Sequence, residues 1–165
     1  MKRVYFTKSS TWKIVLAAAA LIVSAVVVGV FFLYPKQTYL EIVSEEHHVY
    51  QRFPVEDGTE FSVMFIHSVN KSPVEDFYRI EGKDIYVIKT KYDSFGAGVQ
   101  TKIEEGQTLS YTEDGSMIVS GFHQKIPRLA YVVGMVSDHV LTINGEEISL
   151  RNLCGKGSYI EFCVR

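Results

Sequence analysis

Two patterns of apolar and polar positions divide this chain. From Ile14 to Tyr34, 21 residues pass without a charge, and Ser24 is the one strongly polar side chain among them. After Pro35 the pattern changes to short runs of Val, Ile, Tyr, Phe and Thr, broken by Gly, Pro, Asn and Asp. The first pattern predicts one long helix that is apolar on every side. The second predicts strands joined by turns.

A helix over 14–34 rises about 1.5 Å per residue and spans about 30 Å, the thickness of a bilayer's hydrocarbon core. Thirteen of its residues are Leu, Ile, Val or Phe. At about −0.3 to −0.6 kcal/mol each, they favour insertion by about −4 to −8 kcal/mol. A domain this small cannot surround such a helix with protein, so a buried core helix is the weaker reading. Lys2, Arg3, Lys8 and Lys13 precede the run and no acid does, which keeps that flank in the cytoplasm. Trp12 and Tyr34 stand at the two ends, where amphipathic rings favour the interface. The stretch exceeds a usual signal-peptide core, no Ala-x-Ala-like site closes it, and no Cys follows it, so an uncleaved anchor is expected. The expected order is a cytoplasmic N-terminus (1–13), a transmembrane anchor (14–34) and an extracytoplasmic β-rich domain (35–165). The expected location is the cell membrane, in a single pass. Pro35–Gln37 is too short a tether to carry the domain far from the bilayer.

Candidate strands are Tyr39–Val43, Val49–Phe53, Phe61–Val69, Phe77–Glu81, Ile85–Tyr92, Thr108–Thr112, Met117–Ser120, Leu129–Val136, His139–Ile143, Glu146–Leu150 and Tyr159–Val164. Asp57-Gly58, Glu81-Gly82, Asp114-Gly115 and Asn144-Gly145 supply turns, and Asn144-Gly145 marks the clearest hairpin. This spacing predicts an all-β domain, an antiparallel β-sandwich or a partly closed barrel.

Charge narrows the partners. The chain has 17 Lys and Arg, and 4 of them precede the apolar run; the remaining 13 face 19 acids, a net charge near −6 for the outer part. Nucleic acid and anionic lipid surfaces both ask for a basic patch, so neither is expected as a partner of that domain. Cys154 and Cys163 flank Gly155-Lys156-Gly157. An oxidising compartment permits a disulfide. A tight turn there sets Cys154 opposite Tyr159, so the bond needs a bulge or wider loop. Two Cys without a neighbouring His make no zinc site, and no metal or other cofactor is expected. His47-His48 point to opposite faces of a strand, and His123 and His139 are isolated.

Two segments carry polar residues that a strand pattern does not require. In the first, His67-Ser68 close an apolar run, Pro73 turns or extends the chain, and Glu75-Asp76 open the next strand. Adjacent strands could bring His67 to one of these carboxylates, which would fix or protonate the imidazole. The alternative is a buried His–carboxylate pair that locks a crossover. The second is Ser94-Phe95-Gly96-Ala97-Gly98, either a tight turn or bulge, or an anion-binding nest of backbone N–H groups. His67 and Ser68 are adjacent on a strand and cannot act as base and nucleophile. No catalytic residue is assigned.

His67-Ser68-Val69, Lys71-Ser72-Pro73-Val74 and Asp76, followed by Ser94-Phe95-Gly96-Ala97-Gly98, resemble the motifs of domain-of-unknown-function family 1850. The likeness covers roughly Glu41 to Ile148. One departure is that the family acid after Pro-Val is Glu, whereas position 76 here is Asp with Glu75 beside it. The resemblance implies a small membrane-anchored bacterial protein associated with TAXI-type TRAP transporters, which import organic solutes on ion gradients. It implies no chemistry. The expected function is a non-enzymatic, membrane-anchored accessory protein of such a transporter, touching its membrane subunit or its solute-binding protein. The alternatives are a small-anion or solute-binding module built on His67, Asp76 and the Gly96–Gly98 turn, and an anchored hydrolase. Ser68, Lys71, Pro73 and Ser94 belong to the same candidate motif.

Overall fold

The computed structural model describes residues 8–33, 36–69, 71–93 and 103–165, with side chains described in the N-terminal helix at 12–26 and 29. The chain forms two compact units, 1–36 and 37–165. The first holds helix α1, Lys8–Leu33, 26 residues long. Its Ile14, Val15, Leu16, Leu21, Ile22, Val23 and Val26 are all more than half exposed. Among the described residues no helix is long and apolar enough to cross a membrane. The described side chains stop short of the full apolar run, so the anchor stays a reading of the sequence.

The second unit contains eleven strands among its described residues: β1 (Thr38–Ser44), β2 (Val49–Val55), β3 (Glu60–Ile66), β4 (Pro73–Glu81), β5 (Asp84–Tyr92), β6 (Thr108–Tyr111), β7 (Met117–Ile126), β8 (Leu129–Val132), β9 (His139–Ile143), β10 (Glu146–Ser149) and β11 (Tyr159–Val164). One short helix, α2 (Leu150–Cys154), follows β10. The strands build two antiparallel sheets, ordered β2-β1-β11-β8 and β10-β9-β3-β4-β5-β7-β6. They pack face to face as an open sandwich; the barrel alternative is set aside, because the described strands do not close on themselves. Alternation decides which residues enter the core. Leu40 and Ile42 from one sheet meet Phe61, Val63, Ile80, Leu141 and Ile143 from the other, and Ile160 and Phe162 close the layer.

Strand boundaries differ from the expected ones at one end of the sandwich. β3 stops at Ile66, and β4 starts at Pro73 rather than Phe77. Proline is tolerated as a first strand residue, where no ladder N–H is demanded of it. β7 runs on to Ile126 past Gly121, whose φ of +84° admits the irregular register opposite β5.

The two ends of the domain differ. At one end lie the β3–β4 hairpin, the β6–β7 turn and the β8–β9 loop, since Phe65, Val74, Tyr92, Met117 and His139 are register neighbours there. At the other end lie Gln37, where the chain enters the domain, and the β9–β10 turn, whose Asn144 side chain donates to the Pro54 carbonyl at 3.1 Å.

Candidate functional site

The family-type motif residues collect at the loop end. His67, Ser68 and Lys71 form the β3–β4 hairpin and Pro73 starts β4; the His67 N–H donates to the Ser72 carbonyl at 2.9 Å, and the Lys71 N–H to the His67 carbonyl at 2.9 Å. Ser94, Gly96 and Gly98 lie outside the described residues. The β3–β4 register sets Asp76 opposite Val63 and Glu75 opposite Met64, four and three positions before His67. Four positions of strand are about 13 Å, so pairing of the two strands does not by itself join Asp76 to His67. Glu75 turns to the outer face and accepts from Ser62 Oγ at 2.6 Å. It also lines a hollow of about 220 Å³ with Lys91, Asp93 and Asp114.

Asp76 instead faces the space between the sheets, in a row with Val63, Thr90 and Val119. Its carboxylate accepts from Thr90 Oγ1 at 2.7 Å and is hydrogen-bonded by Tyr78. Burial raises the Asp76 pKa, and these two bonds partly offset the rise. Tyr78 Oη in turn lies 2.6 Å from Tyr131 Oη on β8 of the opposite sheet. Thr90, Asp76, Tyr78 and Tyr131 therefore form one polar chain across an otherwise apolar interior. Burial first, then the neighbouring Tyr131 and Asp76, raises the Tyr78 pKa, so it remains a neutral donor. Replacing Tyr78 or Tyr131 with Phe is expected to cost about 1–2 kcal/mol each, because each change orphans the partner hydroxyl. The double variant should cost clearly less than the sum, as a double-mutant cycle on denaturant unfolding of the full chain in detergent will read.

Beside this chain the β8–β9 loop is tied down from several directions. Gly134 N–H donates to His139 Nδ1 at 3.1 Å, and the Gly134 carbonyl accepts from Arg151 Nη2 at 3.0 Å. Val133 N–H donates to Ser158, and Gly157 N–H to Val133, at 2.9 and 2.8 Å. Asp138 accepts from Ser149 Oγ and from the Arg151 N–H at 3.0 Å. Burial pushes the Asp138 pKa up, but these bonds and one from the His139 N–H outweigh it and leave the group below its usual range. Ser149 doubles as the N-cap of α2, accepting from Asn152 N–H at 3.0 Å. His139 packs between Phe65, stacked at 5.5 Å, and Tyr131, edge-on at 5.4 Å. Burial, with Arg151, lowers its pKa against the pull of Asp138.

A sign follows for pH dependence. Folded His139 resists a proton that the unfolded chain binds below its ordinary pKa of 6.5. Its contribution to stability is present above that pH and is lost as pH falls through it. Asp76, raised from 3.8, acts in the opposite sense at lower pH, where the folded chain takes the proton first. The urea midpoint is expected to fall between pH 7.5 and about 6. His139→Asn, which keeps an acceptor for the Gly134 N–H, should flatten that slope; an unchanged slope would sink the assignment.

Sequence reasoning passed over Thr90, Tyr131, Gly134, Asp138 and Arg151. Only the inward position of Asp76, readable from period-2 alternation with Val74, Tyr78 and Ile80, signalled a buried network. Cys154 and Cys163 are both free. Cys154 packs against the core, which pushes its thiol up to about 11, whereas Cys163 alternates with buried Phe162 and sits opposite Glu41.

Fold and site define a two-sheet antiparallel β domain with a half-buried polar clasp beneath a braced loop end. A family model described as Domain of unknown function (DUF1850) matches residues 61–150, more than half of the chain, and the chain belongs to that family. No curated protein and no solved structure matches it.

Proposed function

We propose that this protein is a membrane-anchored, non-enzymatic accessory component of a TAXI-type TRAP solute transporter, with its β domain outside the cytoplasm. The observation that carries the reading is the helix that precedes the domain. It runs from Lys8 to Leu33, about 39 Å at 1.5 Å per residue. Its apolar side chains from Ile14 to Val26 are open, as a lipid-facing helix requires. The transporter association is what the resemblance of the His67–Asp76 and Ser94–Gly98 motifs implies. The β domain suits contact rather than chemistry: its half-buried acid is engaged by Thr90 and Tyr78.

Solubilising native membranes in mild detergent and purifying the tagged full chain tests this. The transporter's membrane subunit or its solute-binding protein is expected to co-purify. Recovery of the chain with neither enriched would overturn the reading, as would a C-terminal reporter active only in the cytosol. The small-anion reading draws less support, because Asp76 offers an anion repulsion rather than a donor and sits four register positions from His67.

A further inference from the structure

We propose that the β8–β9 loop is an acid-released latch: a proton taken up at His139 Nδ1 removes the acceptor that holds the Gly134 N–H, and residues 134–138 let go of β9 and α2 while the sandwich stays folded. The Gly134 N–H donates to Nδ1 at 3.1 Å, so that nitrogen carries no proton in the closed loop. An imidazolium has a donor on each nitrogen and no acceptor. Two N–H groups would then point at each other across the same gap. Turning the ring does not save the bond. It stacks on Phe65 at 5.5 Å and meets the Tyr131 ring edge-on at 5.4 Å. A flip about its own axis, the one turn that keeps these contacts, offers Gly134 a C–H in place of Nδ1.

The groups that face the ring come from four elements. The loop supplies Asp138 and α2 supplies Arg151. Tyr131 on β8 stays neutral, its pKa raised by burial, and β3 presents the uncharged Phe65 ring. Neither charge is idle. The Asp138 carboxylate accepts from Ser149 Oγ and from the Arg151 N–H. Arg151 donates through Nη2 to the Gly134 carbonyl at 3.0 Å, and its enclosed Nε finds no acceptor among the described residues. An imidazolium here would share one engaged carboxylate with a guanidinium. Burial, with Arg151 on its side, outweighs the pull of Asp138 and keeps the closed ring neutral. In the opened loop the ring meets water and takes its proton near the ordinary value of 6.5, so opening grows as pH falls through that value.

Release stays local because little apolar surface holds the segment. Met135 is 67% exposed and Val136 91%. Val133, just before them, is fully buried and stays pinned by Ser158 and Gly157. Residues 134–138 are held instead by the polar bonds at Gly134 and Asp138. Segments with few apolar contacts open at a free energy well below that of global unfolding. Met135 rests against Gly157, where an added Cβ would meet its Sδ at 3.0 Å, so release also moves the Met135 methyl group. The latch goes beyond the transporter reading and does not depend on it.

The test is residue-resolved amide exchange on the full chain in detergent, with His139 titrated in the same sample through its imidazole resonances. After correction for the intrinsic pH dependence of exchange, protection of the Gly134 amide is expected to fall at least about threefold between about pH 7.5 and about 5.5. The midpoint should coincide with the His139 titration. The Met135 methyl resonance should move with it, while that of buried Met117 stays. The Gly58 and Ile80 amides, bonded to the Ile80 and Thr59 carbonyls at the other end of the sandwich, should keep their protection. His139→Asn sets an uncharged acceptor in place of Nδ1 and should leave Gly134 protected at both pH values. His67→Asn, on the neighbouring hairpin, should leave the transition as it is. Protection at Gly134 that ignores pH, a fall shared by Gly58 and Ile80, or a midpoint apart from that of His139 would each overturn the latch. So would a transition that survives His139→Asn or vanishes in His67→Asn. Should His139→Asn fail to fold, the match between the two wild-type midpoints decides.

Discussion

Replacing Asp76 with alanine is expected to destabilise the β domain by about 2–4 kcal/mol, lowering Tm by about 10 °C. Two opposing effects set this size. The substitution leaves the Thr90 and Tyr78 hydroxyls without their acceptor inside the sandwich, and each orphaned group costs about 1–3 kcal/mol. It also removes a buried carboxyl whose desolvation is unfavourable, which returns part of that cost. The unpaired donors win, because Tyr78 is almost fully enclosed and Val63 and Val119, in the same row, offer no acceptor in place of the carboxylate. Asp76→Asn keeps one acceptor oxygen and should cost only about 1 kcal/mol. Denaturant unfolding of the full chain in detergent reads both. If asparagine proves as damaging as alanine, then the negative charge, and not the acceptor, holds the clasp.

The second large effect is expected at Gly134. Alanine there would set its Cβ 2.1 Å from the Ser137 carbonyl oxygen and 3.2 Å from its carbon, both backbone atoms that cannot rotate aside. The loop must then open, breaking the bonds from the Gly134 N–H to His139 and from Arg151 to its carbonyl. A cost of at least about 2 kcal/mol follows, as for an overpacked site. Amide exchange should quicken at Val133, Gly134 and Gly157 while the β3 and β4 amides stay protected. Gly58 supplies the contrast. Its φ is +85° but nothing stands within 4 Å, so Gly58→Ala should cost about 1 kcal/mol from backbone strain alone. If the two alanines behave alike, close approach is not what holds residue 134.

The two substitutions probe different depths of one region. Tyr131 joins them: its hydroxyl ends the Asp76 clasp, and its ring packs on His139, whose Nδ1 holds the loop. Loss of the clasp is therefore expected to loosen the loop as well, whereas loss of the loop should leave the Thr90–Asp76 bond in place.

How much of this was legible beforehand depended on the range of the interaction. The alternation Val74, Asp76, Tyr78, Ile80 is local, and it already sends Asp76 to the same face as three apolar residues. Its partners were not legible, because Thr90 reaches it through the β4–β5 register, in which Ile88 is an extra residue, and Tyr131 from the opposite sheet. The β3–β4 register, which sets Asp76 opposite Val63, was likewise beyond the reach of any local pattern.

By itself the sequence determined the apolar N-terminal helix, the β character of the rest, the approximate place of each strand and the resemblance to the family. Those properties follow from periodicity, composition and short motifs, which act between residues close in the chain. The tertiary structure alone decided that the two sheets stay open and that a half-buried polar chain links β4 to β8. It also decided that Met135 and Val136 stand exposed on a braced loop. Each of these turns on register and on which faces meet, quantities set by packing across the whole sandwich rather than by any one segment.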